Sequence, residues 1–350
     1  MNCLAFIPVI LLWMLVTVQN TYCAEATYQG KTASYWKGAA TDADEKQREK
    51  AVPAMKSLGD MAELKRLLRD ECRDVRVCAA NALGDMGEPA VPVLLSINKG
   101  PGPRDVDAVL AALAKIGAPA VPGIAELLRD ANPNRHYFGA IAAEKLGPVA
   151  KSTVPELTRM LNDPWAYRRE AGASALGSIG PDAASAIPAL VKLLADPEKS
   201  VQLRAIMVLG KIGPAAIPAL LVVVKEGKQS ARNACWALSV VGESAIPAVS
   251  KLLTDRDSSV HALGASTLGW MGPKAKSAVP LLFPLLRSKD TESRRAAVEA
   301  LGRIGPDAKA AIDELTPLLK DSTAEVREAA AQAITLIKTP STGESPETMH

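Results

Sequence analysis

The sequence predicts an all-α fold, an α-solenoid (superhelix) of stacked antiparallel helix pairs, on three observations. A Gly preceded by an aliphatic residue or Met closes a segment at Gly87, Gly117, Gly147, Gly180, Gly213, Gly242, Gly272 and Gly305. A Pro opens the next segment at Pro92, Pro122, Pro155, Pro188, Pro218, Pro247 and Pro280. Each Pro-to-Gly interval is 25 residues, except 24 from Pro218 to Gly242, and each Gly-to-Pro interval is 5 or 8. A rigid unit therefore alternates with a turn of two allowed lengths. A period near ~30 residues marks a repeat array rather than one globular core.

In chain order, residues 4–18 form an apolar, uncharged run. It is short for a membrane span and the right length for the core of a signal sequence. With Ala24-Glu25-Ala26 as an A-x-A-like cleavage site, residues 1–26 are expected to be a signal peptide. The mature chain would then begin near Thr27 and be exported, to a periplasm or the medium. The alternative is a membrane anchor made by residues 4–18. Residues 27–59 are expected to be an N-terminal segment in which residues 31–58 form one amphipathic capping helix, with Tyr35 and Trp36 as packing anchors. About nine helix pairs follow over residues 60–338, with Ala62 in the first Pro position and Asp313 and Lys338 in the last Pro and Gly positions. The tail, residues 339–350, is polar and rich in Pro, Ser and Thr, so disorder is expected.

Residues 187–213 show what one unit contains. Ile187, Leu190, Val191 and Leu194 make one apolar helix stripe. Pro188 falls in the first turn, where its missing N–H costs nothing. Asp196-Pro197 breaks the helix. Val201, Ala205, Val208, Leu209 and Ile212 make a second stripe, and Gly213 ends it as a left-handed C-cap. Each unit is thus helix A, turn, helix B, turn. Counting back from the terminal Gly of helix B, position −4 is mostly large (Leu83, Leu113, Leu176, Leu209, Leu238, Leu268, Leu301). Positions −5 and −8 are mostly small, as at Ala112, Ala175 and Ala237, then Gly139, Gly172 and Gly264, which lets helices approach closely.

The pattern V-R-x-x-A-x-x-A-L-G-x-I-G followed by P-x-A-x-x-A-I-P-x-L resembles HEAT repeats, most of all the ~30-residue PBS-lyase HEAT-like variant. It stands as VRVCAANALGDMGEPAVPVL from Val75 and RRAAVEALGRIGPDAKAAIDEL from Arg294. The resemblance covers nearly the whole mature chain and is specific for fold, not for function. It implies a ladder: Asp70, Asp163, Asp255 and Asp321 at the A–B turns, with Arg76, Arg169, Arg294 and Arg327 in helix B. His136 and His261 take that helix-B place in two repeats. These residues read either as inter-repeat hydrogen bonding or as a charged groove, and the ladder is the favoured reading.

Net charge is +3 with both signs interspersed. Lys115, Lys145, Lys211 and Arg303 form a sparse basic row two residues before the Gly, without a basic block or interleaved aromatics, so nucleic acid is not an expected partner. Past the cleavage site Cys72, Cys78 and Cys235 remain. None is spaced as a pair, and Cys78 and Cys235 sit where other repeats carry Ala, which reads as buried packing. The three His are dispersed, and no His-Glu pair, H-E-x-x-H, C-x-x-C, Walker loop or G-x-S-x-G occurs. No catalytic, cofactor-binding or metal-binding residues are expected. The HEAT-repeat iron hydroxylase of deoxyhypusine is similar in fold, but its His-Glu ligands have no counterpart. The bilin lyase subunits that named the repeat offer a second enzyme alternative, one that export disfavours.

Helix-B positions −10, −6 and −2 share one face, which the resemblance places on the concave surface of the array. The face is mostly polar or variable. In the middle of the array it carries Leu203, Met207 and Lys211, then Arg232, Trp236 and Val240, then Trp270. Two readings stand side by side: a protein-binding hot spot rimmed by cations, and tryptophans folded against the neighbouring repeat. Tyr137, Ile141, Trp165 and Tyr167 form a second cluster, read as local packing. The functional expectation is a non-catalytic scaffold holding a protein or peptide on the concave helix-B face. The alternatives are an enzyme or lyase- or hydroxylase-type subunit, and an envelope-associated structural spacer anchored by its N-terminal segment.

Overall fold

A computed structural model of the protein describes residues 25–98, 105–227 and 230–339. The expected signal core at 4–18 and residues 340–350 of the tail lie outside them. The chain forms two compact units that meet in sequence between Ile116 and Gly117.

The first unit opens with a hairpin, β1 (Thr27–Tyr28) paired antiparallel to β2 (Lys31–Thr32). Gln29 and Gly30 between them both have positive φ, 50° and 72°, as a two-residue primed turn requires. Helices α1 (Ala33–Ala40) and α2 (Glu45–Ser57) follow, where one helix over 31–58 was expected. The break has a local cause. Asp42 Oδ1 accepts the Asp44 N–H, and Asp44 in turn accepts the Lys46 N–H as the N-cap of α2. Trp36 is buried and its Nε1–H donates to the Tyr28 carbonyl at 3.0 Å. Tyr35 is not buried as expected; it stays 47% exposed, its ring edge-on to Trp36 and its hydroxyl bonded by Lys31 Nζ. The unit continues with α3 (Met61–Leu67), α4 (Arg73–Met86), α5 (Val91–Leu95) and α6 (Val106–Ile116).

The second unit is seven successive helix pairs among the described residues. They are α7 (Val121–Arg129) with α8 (Pro133–Leu146), α9 (Val154–Met160) with α10 (Ala166–Ile179), and α11 (Ile187–Lys192) with α12 (Lys199–Ile212). Then come α13 (Ile217–Lys225) with α14 (Ala231–Val241), and α15 (Ile246–Ser250) with α16 (His261–Met271). The last are α17 (Val279–Leu282) with α18 (Thr291–Ile304), and α19 (Ile312–Leu315) with α20 (Ala324–Lys338). Successive B helices lie side by side as one layer, each also packed on its own A helix. This is the expected α-solenoid.

The two turn lengths have a simple basis. After an eight-residue Gly-to-Pro interval the chain makes a seven-residue 3₁₀ segment, as at Gly180–Ala186 and Gly272–Ala278; after a five-residue interval it makes three or four residues, as at Gly213–Ala216 and Glu243–Ala245. The difference is one 3₁₀ turn of three residues. The terminal Gly does not take the left-handed helical conformation expected. Gly213 has φ 83° and ψ −143°, a mirror-extended conformation that a Cβ forbids, because the chain must turn directly into the next 3₁₀ segment.

The core leucines Leu176, Leu209, Leu238, Leu268 and Leu301 are fully buried. The −8 glycines meet the A helix of their own pair: a Cβ on Gly172 would lie 3.0 Å from Met160 Cβ. Contact between successive B helices depends on a further glycine, at −3. A Cβ on Gly177 would lie 2.8 Å from Val208 Cγ2, and one on Gly269 2.9 Å from the Ala300 Cα. Gly177 and Gly269 face the β-branched or small −5 residue of the next helix, whereas Gly210 meets Val240 at −2.

Candidate functional site

The site is built on helix B, which is tied to the end of its own helix A. The residue eleven before the terminal Gly reaches back to carbonyls at the end of its own helix A. Arg169 Nη1 donates to Asp163 O at 2.9 Å, Arg294 Nη1 to Ser288 O at 2.8 Å, and Arg327 Nη1 to Asp321 O at 2.7 Å. Arg76 does the same to Asp70 O at 2.8 Å, Gln202 Nε2 to Asp196 O at 2.6 Å, and His136 and His261 to Asp130 O and Asp255 O. Each closes carbonyls that a helix end leaves unpaired. Burial pushes the His136 imidazole below its ordinary value, so it acts as a neutral N–H donor.

Arg169 and Arg294 also span to the next repeat by ion pairs. Arg169 grips Asp196 with two bonds of 2.7 Å, and Arg294 grips Asp321 at 3.0 and 3.1 Å. These forks are charge-assisted and nearly buried. The Arg294 hydrogen bonds hold the Asp321 carboxyl below its usual range. The ladder reading stands over the charged groove.

One rung was invisible in the sequence pattern. Arg48 on α2 grips Asp70 at 2.8 and 2.9 Å and caps Asp42 O and Ala43 O. Gly59, eleven residues on, has φ 70°, and Met55 fills the buried −4 position. The α1–α2 pair is therefore a repeat in its own right, signalled in sequence only by the Arg48-to-Gly59 spacing. Asp196 was missed because Gln202, not Arg, stands eleven residues before Gly213 in its own pair.

On the exposed face of the B layer, Leu203, Met207 and Trp236 are each 45% exposed. Leu203 and Met207 are one turn apart on α12, and Trp236 occupies the same row as Met207 on the adjacent α14. Lys211 and Arg232 are exposed on this face, one turn beyond Met207 and one turn before Trp236. Val240 and Trp270 are half-buried. Val240 is a packing residue: it fills the space that a side chain on Gly210 would need. The structure therefore places five of the seven residues outward on α12 and α14, and turns Val240 and Trp270 partly into the helix layer.

The second cluster is not buried. Trp165 is 61% exposed, and Tyr137 and Tyr167 also stand in solvent. Tyr137 and Tyr167, from successive repeats, meet edge-to-face at 5.5 Å, and Trp165 lies 6.5 Å from Tyr167. Trp165 precedes the first turn of α10, outside its apolar stripe, which is why it is exposed. Arg168, itself buried, lies under the Tyr167 ring. Local packing here is ring on ring at the surface.

Cys235 is fully buried, and burial pushes its thiol up to about 11. Cys78 is only half-buried, bonded by its thiol to Glu49 Oε1 at 3.7 Å, since its position borders the exposed face. Cys72, Cys78 and Cys235 are all free thiols. Among the described residues, no cluster of three His, Cys, Asp or Glu is placed to hold a metal ion.

A profile of HEAT repeats matches residues 154–239 and 246–335, half of the chain. No curated protein matches significantly. Among solved structures, Kap121p bound to Nup53p is 14% identical, with 87% of this chain and 40% of that chain covered and a TM-score of 0.51. The karyopherin Kap121p bound to the SUMO protease Ulp1p is 14% identical over the same shares, with a TM-score of 0.50. This chain thus spans two fifths of the length of those chains, and the likeness is one of fold. The complex of CpcE and CpcF of phycocyanin lyase from Nostoc sp. PCC7120 is 20% identical over 43% of this chain and 98% of that chain, and its TM-score of 0.35 carries no argument.

Proposed function

The chain belongs to the HEAT-repeat family, and on that footing we propose that it is a non-catalytic scaffold that holds a protein or peptide on its concave helix-B face. The observation that carries this is the group of Leu203, Met207 and Trp236, each 45% exposed on two adjacent rigid helices. Large apolar side chains grouped on a surface, with a cationic rim, have the character of an interface. Because the B helices are fixed by core leucines and by the ladder, the face binds without an ordering cost of its own. The Kap121p structures with bound Nup53p and Ulp1p are instances of the fold in such a role. The ~30-residue period is that of the PBS-lyase HEAT-like subtype. The apolar run at 4–18 supports export with cleavage near Ala26; N-terminal sequencing of the cell-envelope and secreted fractions tests that part.

The test of the scaffold is crosslinking capture with the protein beside a Met207→Ser/Trp236→Ala variant whose helicity is verified by circular dichroism. A partner held by the wild type and lost by the folded variant is the expected result. Equal capture by both removes the face from the interface.

A further inference from the structure

We propose that the segment held by the α12–α14 face is acidic: a short apolar stretch carrying Asp or Glu on both flanks. This rests on the scaffold reading and adds the chemistry of its partner. The six face positions of these helices are Leu203, Met207 and Lys211 on α12, and Arg232, Trp236 and Val240 on α14. They contain two cations and no carboxylate.

Elsewhere on the face, carboxylates stand beside the cations and part of the charge is settled within the chain. Glu170 on α10 pairs with Arg204 at 3.4 Å, and Arg295 on α18 pairs with Glu292 at 2.6 Å and with Glu299. Lys211 and Arg232 form no ion pair or side-chain hydrogen bond among the described residues. A basic segment laid over this apolar centre would crowd like charges there. An acidic one supplies the partners that the chain withholds. Placement sharpens this. Lys211 stands at the C-terminal end of α12 and Arg232 at the N-terminal end of α14. With ~1.5 Å rise per residue and ~10 Å between neighbouring helices, they occupy opposite corners of the patch, roughly 16 Å apart. The matching carboxylates are then about five residues apart in an extended segment or about eleven in a helix.

The experiment is selection from a random 16-residue peptide library displayed on phage, against the full protein. Selected peptides are then titrated by fluorescence anisotropy against wild type, Lys211→Glu/Arg232→Glu, Lys211→Ala/Arg232→Ala and Met207→Ser/Trp236→Ser. The expected winners carry apolar residues between carboxylates. They lose about tenfold or more in affinity on charge reversal, less on the alanine pair, and weaken as salt rises. Winners without carboxylates, or affinity indifferent to charge reversal, overturn the acidic partner and leave the scaffold standing. If no selected peptide responds to Met207→Ser/Trp236→Ser, the scaffold face itself falls, and the acidic partner with it.

Discussion

Within the second unit, the repeats around α10 and α18 differ from those between them in how they are joined. Arg169 and Arg294 reach forward to Asp196 and Asp321 with buried ionic forks. In the intervening repeats the same position holds Gln202, Ala231 and His261. Gln202 Oε1 accepts only a neutral bond from Asn233 at 3.1 Å, and His261 reaches no farther than its own turn. The face above changes in step. Over the ionic rungs it is polar, with Glu170 and Arg295 paired within the chain; over the neutral ones it carries Leu203, Met207 and Trp236. One repeat plan therefore supports two joints. Where buried arginine forks lock the repeats, the helix-B face is polar. Where neutral hydrogen bonds and the more exposed Lys225–Asp255 pair join them, the surface leaves Leu203, Met207 and Trp236 in solvent.

The largest expected effect breaks an ionic rung. Arg169→Met leaves the Asp196 carboxylate, 7% exposed, without its cation. Losing one partner of a buried pair costs about 3–5 kcal/mol. Gln202→Met in the middle removes only neutral hydrogen bonds and should cost about 1 kcal/mol. Urea unfolding of the two variants measures the contrast, and equal losses would dissolve it.

Acid should also separate the regions, by a smaller amount. Asp321 has its pKa lowered by the Arg294 hydrogen bonds. A depressed carboxyl contributes stability that is fully present above its unfolded value, about 4, and is lost as pH falls through the lower folded value. Wild type should therefore lose stability on acidification below about pH 4, and Arg294→Met should flatten that limb. His136 gives a second window. Burial lowers its pKa, with Asp163 opposing and Arg168 adding to the effect. Its contribution is present above the unfolded value of about 6.5 and lost below it. His136→Gln keeps an N–H for Asp130 O and should erase that dependence in unfolding curves between pH 7 and 5. An unchanged slope would mean the imidazole is not held neutral.

Much of this arrangement could be read from the residues. The Gly/Pro rhythm located both helices of every later repeat, because a stop and a start at constant spacing leave only one way to bury two stripes. The buried leucines followed from the −4 position. The α1–α2 repeat was not legible, since Pro53 stands inside α2 and Thr41–Asp44 breaks a pattern that looks continuous. The close contacts at Gly177 and Gly269 were missed because a glycine inside a helix carries no stripe of its own. For the face, periodicity could place Trp236 and Val240 one turn apart on one side of α14. It could not tell that the space left by Gly210 draws Val240 inward while Trp236 stays out.

That last distinction supplies the smallest predicted effect and the one that bears most directly on the face. Trp236 lies two residues before Leu238 on α14, one 45% exposed and the other fully buried. If Trp236 is displayed for a partner, Trp236→Ala should change stability by less than about 1 kcal/mol, as substitutions outside the core do. Leu238→Ala on the same turn should cost about 2–5 kcal/mol. The pair controls for everything the two residues share: helix, repeat and neighbouring joints. A Trp236→Ala loss close to that of Leu238→Ala would show that the indole stabilises the middle repeats, doing by packing what Arg169 does by charge. A small loss joined to abolished partner capture would place the side chain's worth outside the fold, on the molecule that covers it.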